Sequence, residues 1–195
     1  MKVQLGAKSI MFPVSVVLVV SGPPGRPNII TIAWIGMVCS LPPIVAISVK
    51  KSCYSFDLIR KTKEFSINVP PAKYYKEVDF CGMVSGMMRD KFKDTKFTPI
   101  KSRRISPPII EECPFNIECK LRKELEVADR GVFFGEIVET HIDSDKVIDH
   151  FNNKIDIAKV DPIVYCAGVR EYWSLGEKLG ESFRPGGEIL SKVSG

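Results

Sequence analysis

The chain has 195 residues, 45% of them apolar and 26% charged, which is enough apolar material for one continuous core and excludes global disorder. Its formal charge is +5, but the excess is local: residues 50–104 carry fourteen bases against six acids, and residues 105–195 carry eleven against seventeen. A basic middle segment implies an anionic partner, either a phosphate-bearing small molecule or a nucleic acid.

Ile10 to Val20 follows Lys8 and imitates a signal peptide, yet Pro13 interrupts it. The β-branched Val14, Val16, Val17, Val19 and Val20 then run into Ser21-Gly22-Pro23-Pro24-Gly25, a pattern that predicts a first strand and a turn. Ile29 to Val49 holds 21 residues without a charge, long enough for a membrane span, but Pro42-Pro43 divides it into two β-rich pieces around a Cys39–Pro43 turn. Ile44 to Val49 reads as a strand. Lys50-Lys51-Ser52 leads into a short helix capped by Ser52, with Phe56 and Ile59 on one face and Asp57 paired with Lys61 outside.

Glu64 to Val69 is a strand closed by Pro70-Pro71. A second helix starts at Pro71 or Ala72 and places Tyr75, Val78 and Cys81 on one side. Lys91 to Ser106 is basic, is broken by Pro99, and reads as a surface excursion. Phe115 to Val127 and Val132 to Ile142 are long strands joined as a hairpin around Asp129-Arg130-Gly131. Residues 144–159 form a short helix or loop, and Ile163 to Ala167 is a last strand. Residues 1–180 are one domain, followed by a C-terminal tail or arm over 181–195. Many closely spaced strands without βαβ alternation predict a mainly β barrel with a few short peripheral helices.

Six cysteines include no Cys-x-x-Cys pair, and the two histidines, His141 and His150, are remote in sequence from most of them, so no metal site is expected. Reduced cysteines in apolar surroundings suit a cytoplasmic protein. The dinucleotide and phosphate-loop glycine motifs and the Gly-x-Ser-x-Gly elbow are all missing, which argues against the commonest nucleotide cradles and against hydrolysis. What remains is an anion seat. Lys50, Lys51, Ser52 and Ser55 surround a helix start, where free N–H groups and the positive dipole end converge. Simple capping is the alternative for the serines; Lys91, following Ser85-Gly86, adds a further charge or is a solvated lysine. A nucleic-acid-binding barrel would need Tyr54, Phe56, Tyr74 and Tyr75 for stacking, but those rings fall at helix-core spacing.

The run Asn28, Thr31, Trp34, Gly36, Cys39-Ser40, Pro42-Pro43, then Ile47-Ser48-Val49 and Tyr54-Ser55-Phe56-Asp57, resembles the flavin reductase-like family, in particular its flavoredoxin branch. Val78-Asp79-Phe80-Cys81-Gly82 with Ser85-Gly86 and Asp90-Lys91-Phe92, Gly135-Glu136-Ile137-Val138, and Tyr172-Trp173-Ser174-Leu175-Gly176 agree in the same order. The resemblance implies an FMN-binding split β-barrel of Greek-key type, forming a homodimer, with one non-covalent FMN per subunit near the interface. It implies electron transfer from NADH, NADPH or a reduced protein donor to a flavin, a ferric chelate or a protein. An electron carrier or flavin-storage module without turnover is the alternative.

Carried over residue by residue, Asn28, Thr31 and Trp34 line the isoalloxazine side, and Cys39 and Ser40 contact the ring. Ser48, Lys50, Ser52 and Ser55 follow the ribityl chain to the phosphate. Ser85, Gly86 and Lys91 match the later motif, with Lys91 as a phosphate or ribityl contact. Arg130 occupies a turn where relatives often carry histidine, and Tyr165 a place where an aromatic ring is common. No catalytic side chain or metal ligand is implied, and neither nucleic acid nor membrane is an expected partner. There are two departures. Cys53 stands where many relatives carry arginine, so a phosphate contact is absent or passes to Lys50 or Lys51. Met87 and Met88 stand where the branch is usually more polar.

Overall fold

A computed structural model describes residues 1–187 and 189. Its strands are β1 (Val14–Ser15), β2 (Val17–Ser21), β3 (Asn28–Ile32), β4 (Ile35–Ser40), β5 (Pro43–Lys50), β6 (Glu64–Val69), β7 (Pro99–Ile100), β8 (Ile109–Ile110), β9 (Phe115–Val127), β10 (Arg130–Ile142), β11 (Val147–Asp149), β12 (Lys154–Ile155), β13 (Val164–Cys166) and β14 (Glu171–Trp173). The helices are α1 (Tyr54–Thr62), α2 (Tyr75–Met83), α3 (Lys91–Thr95) and α4 (Ile157–Val160).

Seven antiparallel strands form the main sheet in the order β3-β2-β6-β9-β10-β5-β4. Its outermost strands, β3 and β4, are joined by Ala33-Trp34 alone yet are not paired. The sheet therefore curls into a barrel that stays open along one seam, the mainly β, Greek-key split barrel with short peripheral helices.

Strand β2 is buried along its whole length, because it serves two cores. Val17 and Val19 face the barrel interior with Ile47, Val49, Phe65, Ile67 and Phe133, and α1 adds Phe56 and Ile59 to that cluster. Val16, Leu18 and Val20 face outward into a second cluster with Ile29, Val78 and Cys81 of β3 and α2, Phe92, Phe97 and Ile163. Period-two alternation explains the division, and apolar residues at both parities explain the unbroken valine run. Two of the four rings considered for base stacking are spent on packing: Phe56 lies against Phe133 with centroids 5.4 Å apart, and Tyr74 against Phe97 at 5.3 Å.

Several expectations are corrected. The β9–β10 hairpin turns at Ala128-Asp129, with Arg130 already paired to Val127 and Ala128 at a positive φ of 50°, so the corner begins one residue before the expected Asp129-Arg130-Gly131. Residues 144–159 contain a small β11–β12 hairpin as well as α4, because strands of two and three residues show no period. The excursion after Lys91 is anchored inside by Phe92, Phe97, Ser102 and Ile105, all buried. In the expected tail, residues 181–187 are exposed; position 188 and positions 190–195 lie outside the described residues. Among the described residues no helix is long and apolar enough to cross a membrane.

Glu118 fastens that excursion to the barrel. Its fully buried carboxylate accepts the Arg103 and Arg104 backbone N–H groups at 2.7 and 2.6 Å and pairs with His141 Nε2 at 2.7 Å. Burial alone would push the carboxyl up, but the bonds from Arg103, His141 and Arg104 outweigh it and hold the pKa below the usual range. A depressed folded-state pKa contributes stability above the unfolded value, about 4.3, and loses it as pH falls through the folded one. Glu118→Gln is expected to cost about 1–3 kcal/mol at neutral pH. In urea titrations its deficit against the parent should shrink below about pH 4; a constant deficit down to pH 3 would contradict the assignment.

Candidate functional site

Strand β5 ends against the β10 hairpin, where the Lys51 N–H donates to the Asp129 carbonyl at 2.8 Å and the Cys53 N–H to the Lys50 carbonyl at 3.0 Å. These bonds turn the chain into α1, whose N-cap is Cys53 with no side-chain cap. The expected Ser52 cap is therefore absent. Ser52 is exposed, and the buried Ser55 Oγ accepts from Asn28 Nδ2 at 2.7 Å. With both hydroxyls free of capping, the first-turn N–H groups of Tyr54 and Ser55 have no intrahelical acceptor.

Gly86 lies against Asn28 from the other side. A Cβ there would stand 1.8 Å from Asn28 Oδ1, so only glycine permits this approach. Lys91 comes up from below. It is 4% exposed, and its Nζ donates to the carbonyls of Ile29 (2.8 Å) and Cys81 (2.7 Å). The solvated-lysine reading is thus overturned: the ammonium is fixed between β3 and the end of α2. Burial lowers its pKa, with Cys81 and Cys53 acting the other way.

These groups enclose a cleft of about 170 Å³ lined by Asn28, Ile30, Ser52 to Ser55, Cys81 to Gly86, and Lys91. It gathers six of the residues expected at the site: Asn28, Ser52, Ser55, Ser85, Gly86 and Lys91. No carboxylate lines it, and burial pushes the Cys81 thiol up to about 12, which keeps it neutral. One cation, three hydroxyls, an amide and a helix start, with no carboxylate in the lining, make a receptor for an anion.

Thr31 is tied to α2, its Oγ1 donating to the Val78 carbonyl at 2.5 Å. Trp34, Ser48 and Arg130 form a separate group at the barrel seam. The Arg130 guanidinium carbon lies 4.2 Å from the Trp34 ring centroid, Arg130 Nη1 reaches the Ser48 carbonyl at 3.4 Å, and the Ser48 N–H donates to the Trp34 carbonyl at 2.9 Å. Lys50 is exposed and outside the cleft lining. Lys51 pairs with Glu126 at 2.7 Å, so it does not replace the arginine that Cys53 displaces; Lys91 is the cation in the cleft. Cys39 and Ser40 lie at the far end of β4, paired with Ile44 and Pro43. Tyr165 packs on Tyr172 beside the second core. Tyr54 at the start of α1 and Met83 and Val84 at the end of α2 join the lining without having been expected there, since apolar residues at helix ends carry no distinctive pattern.

Among the described residues no cluster of three or more His, Cys, Asp or Glu could hold a metal. Because Lys91 satisfies two buried carbonyls, Lys91→Met is expected to destabilise the fold by about 1–3 kcal/mol, whereas Ser85→Ala, on an exposed serine, should stay within about 0.5 kcal/mol of the parent. Denaturant midpoints measured without ligand check both. Equal stabilities would mean that the Lys91 bonds have no structural weight.

The flavin reductase like domain family matches residues 9–173. The flavoredoxin of Desulfovibrio vulgaris (Miyazaki F) is 35% identical, with a TM-score of 0.90 over 95% of this chain and 100% of that one. The flavoredoxin from Methanosarcina acetivorans is 28% identical, with a TM-score of 0.89 over 97% and 99%. An uncharacterised protein of Archaeoglobus fulgidus is 33% identical over 137 residues, covering 70% of this chain and 77% of its own. With most of its length matched and the split barrel and its seam in place, the chain belongs to the flavin reductase-like family.

Proposed function

We propose that the chain is a flavoredoxin-like oxidoreductase that binds FMN without covalent attachment. It would carry electrons from NADH, NADPH or a reduced protein donor to a flavin, a ferric chelate or a protein acceptor. The acid-free cleft under the start of α1 carries this reading, because it offers a phosphate its fixed cation, its hydroxyls and two free N–H groups in one place. Membership of the flavin reductase-like family supplies the ligand class.

In this reading Lys91, Ser52, Ser55, Ser85 and the first-turn N–H groups of α1 hold the phosphate. Asn28 is held on Ser55 and orients what lies above it. Thr31, locked to α2, presents a fixed surface toward the ring side, and Arg130 steadies Trp34 at the seam. Bound FMN supplies hydride acceptance and one-electron transfer. The side chains therefore need only position it and exclude water, and a general acid or base is not required. Trp34, Met37, Val38 and Leu41 are exposed apolar residues on and beside β4, and a second copy of the chain is the proposed cover for them. Six unpaired cysteines favour a reducing, cytoplasmic setting.

The visible spectrum of the protein as purified tests this first. Oxidised-flavin bands that pass into the supernatant on denaturation are expected, with bleaching by NADH or NADPH. Bands that resist both nicotinamides would exclude NADH and NADPH as donors and leave a reduced protein donor or the carrier alternative, and a colourless protein that takes up no added FMN would refute the flavin reading. Ser55→Ala, which removes one hydroxyl and the anchor of Asn28, is expected to weaken FMN binding about tenfold, the effect of one charge-assisted hydrogen bond.

A further inference from the structure

A cleft of about 390 Å³ lies at the barrel seam, lined by Lys8 to Met11, Val14, Ala33 to Ile35 and Ala167. Its volume is within the range of small-molecule pockets, about 300–1,000 Å³. It shares no residue with the phosphate seat. Trp34 is its one residue in common with the groups assigned to the flavin and to the second copy.

The fold fixes the walls. Val14 and Ser15 of β1 pair with Tyr165 and Val164 of β13, which ties down the chain that follows Met11. Gly168, in the β13–β14 turn beside Ala167, has a φ of +102°, and a Cβ there would stand 2.7 Å from Ile10 Cγ1, so glycine lets Ile10 rest on that turn. At the seam Ile35 is paired with Ile47, and the Arg130 guanidinium, 4.2 Å from the Trp34 ring centroid, restrains the indole. The chemistry of the lining is one-sided. Apart from Lys8 and Ser9 every wall residue is apolar or aromatic. Trp34 offers a ring that is 49% exposed and Met11 a thioether, surfaces that take a flat ring. Lys8 is the only ionisable residue in the lining and no carboxylate faces it there. Among the described residues Lys8 has no ion-pair partner.

We propose that this cleft binds a small aromatic carboxylate, its ring against Trp34 and Met11 and its negative charge at Lys8. An uncharged ring with one carboxylate matches walls that hold one cation and no acid. A polyanion would leave charge without a partner, and an organic cation would meet Lys8 with like charge. The assignment goes beyond the flavin reading and does not require it, because none of the residues of the phosphate seat takes part.

Titration of the flavin-depleted full chain with cinnamate, followed through the indole N–H signals in proton–nitrogen correlation spectra, tests the proposal without turnover. The chain has two tryptophans, and Trp173, in β14 and outside the lining, is the internal control. Cinnamate is expected to shift the Trp34 signal and leave that of Trp173 in place. It should bind about threefold or more tighter than the uncharged cinnamamide and than octanoate, which has the charge but no ring. Lys8→Gln, on an exposed side chain, should weaken cinnamate about threefold or more while cinnamamide stays within about twofold. A Trp34 signal unmoved at millimolar cinnamate, cinnamamide or octanoate binding as tightly as cinnamate, or equal losses for acid and amide in Lys8→Gln would each overturn the assignment. The flavin reading, tested by the visible spectrum, would stand or fall separately.

Discussion

Strand β2 must be covered on both faces, and most of the molecule is arranged around that requirement. A strand with valines at every second position on one side and Val16, Leu18 and Val20 on the other cannot sit at the surface of a one-sided sheet. The barrel covers one face. Helix α2, the segment after it and β13 cover the other. Helix α1 belongs to the barrel core and α2 to the outer one, so the start of α1 and the end of α2 meet over β3, which pairs with β2. The polar cleft occupies that junction, where neither core can supply apolar cover.

The junction explains how a lysine comes to be buried. Carbonyls of Ile29 and Cys81 both point into the space between β3 and α2, and an unpaired buried carbonyl costs free energy. The Lys91 ammonium satisfies both and still has a third N–H. An ammonium held by protein carbonyls cannot swing toward solvent, so its charge is already in position before any anion arrives. Preorganisation of this kind is also what Gly86 provides by admitting Asn28 at close quarters. Glu118 does the same work with opposite sign on β9, where it holds the backbone of Arg103 and Arg104.

The sequence made the large elements legible because they are long and patterned. Phe115 to Val127 and the strand after it have enough residues to show a period, and Phe56 with Ile59 marks the inner face of α1. The serines at the helix start were legible as an anion seat because hydroxyls and lysines there have few other uses. Other features were not. Lys91 sits among Arg89, Lys93 and Asp94, and nothing in that run distinguishes a buried lysine from a solvated one; only two carbonyls 62 and 10 residues away do. Ser52 looks like a cap, but the bond that ends β5 shifts the helix start by one residue to Cys53. Strands of two or three residues, such as β11 and β12, are fixed by tertiary pairing and carry no periodic signal.

The same geometry bears on why the family resemblance and the charge distribution point to one place. Part of the basic excess of residues 50–104 is spent within the fold. Lys51 is neutralised by Glu126, Arg89 by Asp94, and Arg60 by Glu124 at 3.2 Å, while Lys91 is inside the fold. The cation that lines the cleft is Lys91. One fixed positive group matches a compact ligand with a single phosphate far better than a nucleic-acid strand, whose evenly spaced charges call for an open groove with stacking rings along it. The geometry around Lys91, more than the net count, therefore points to the anion that the cleft serves.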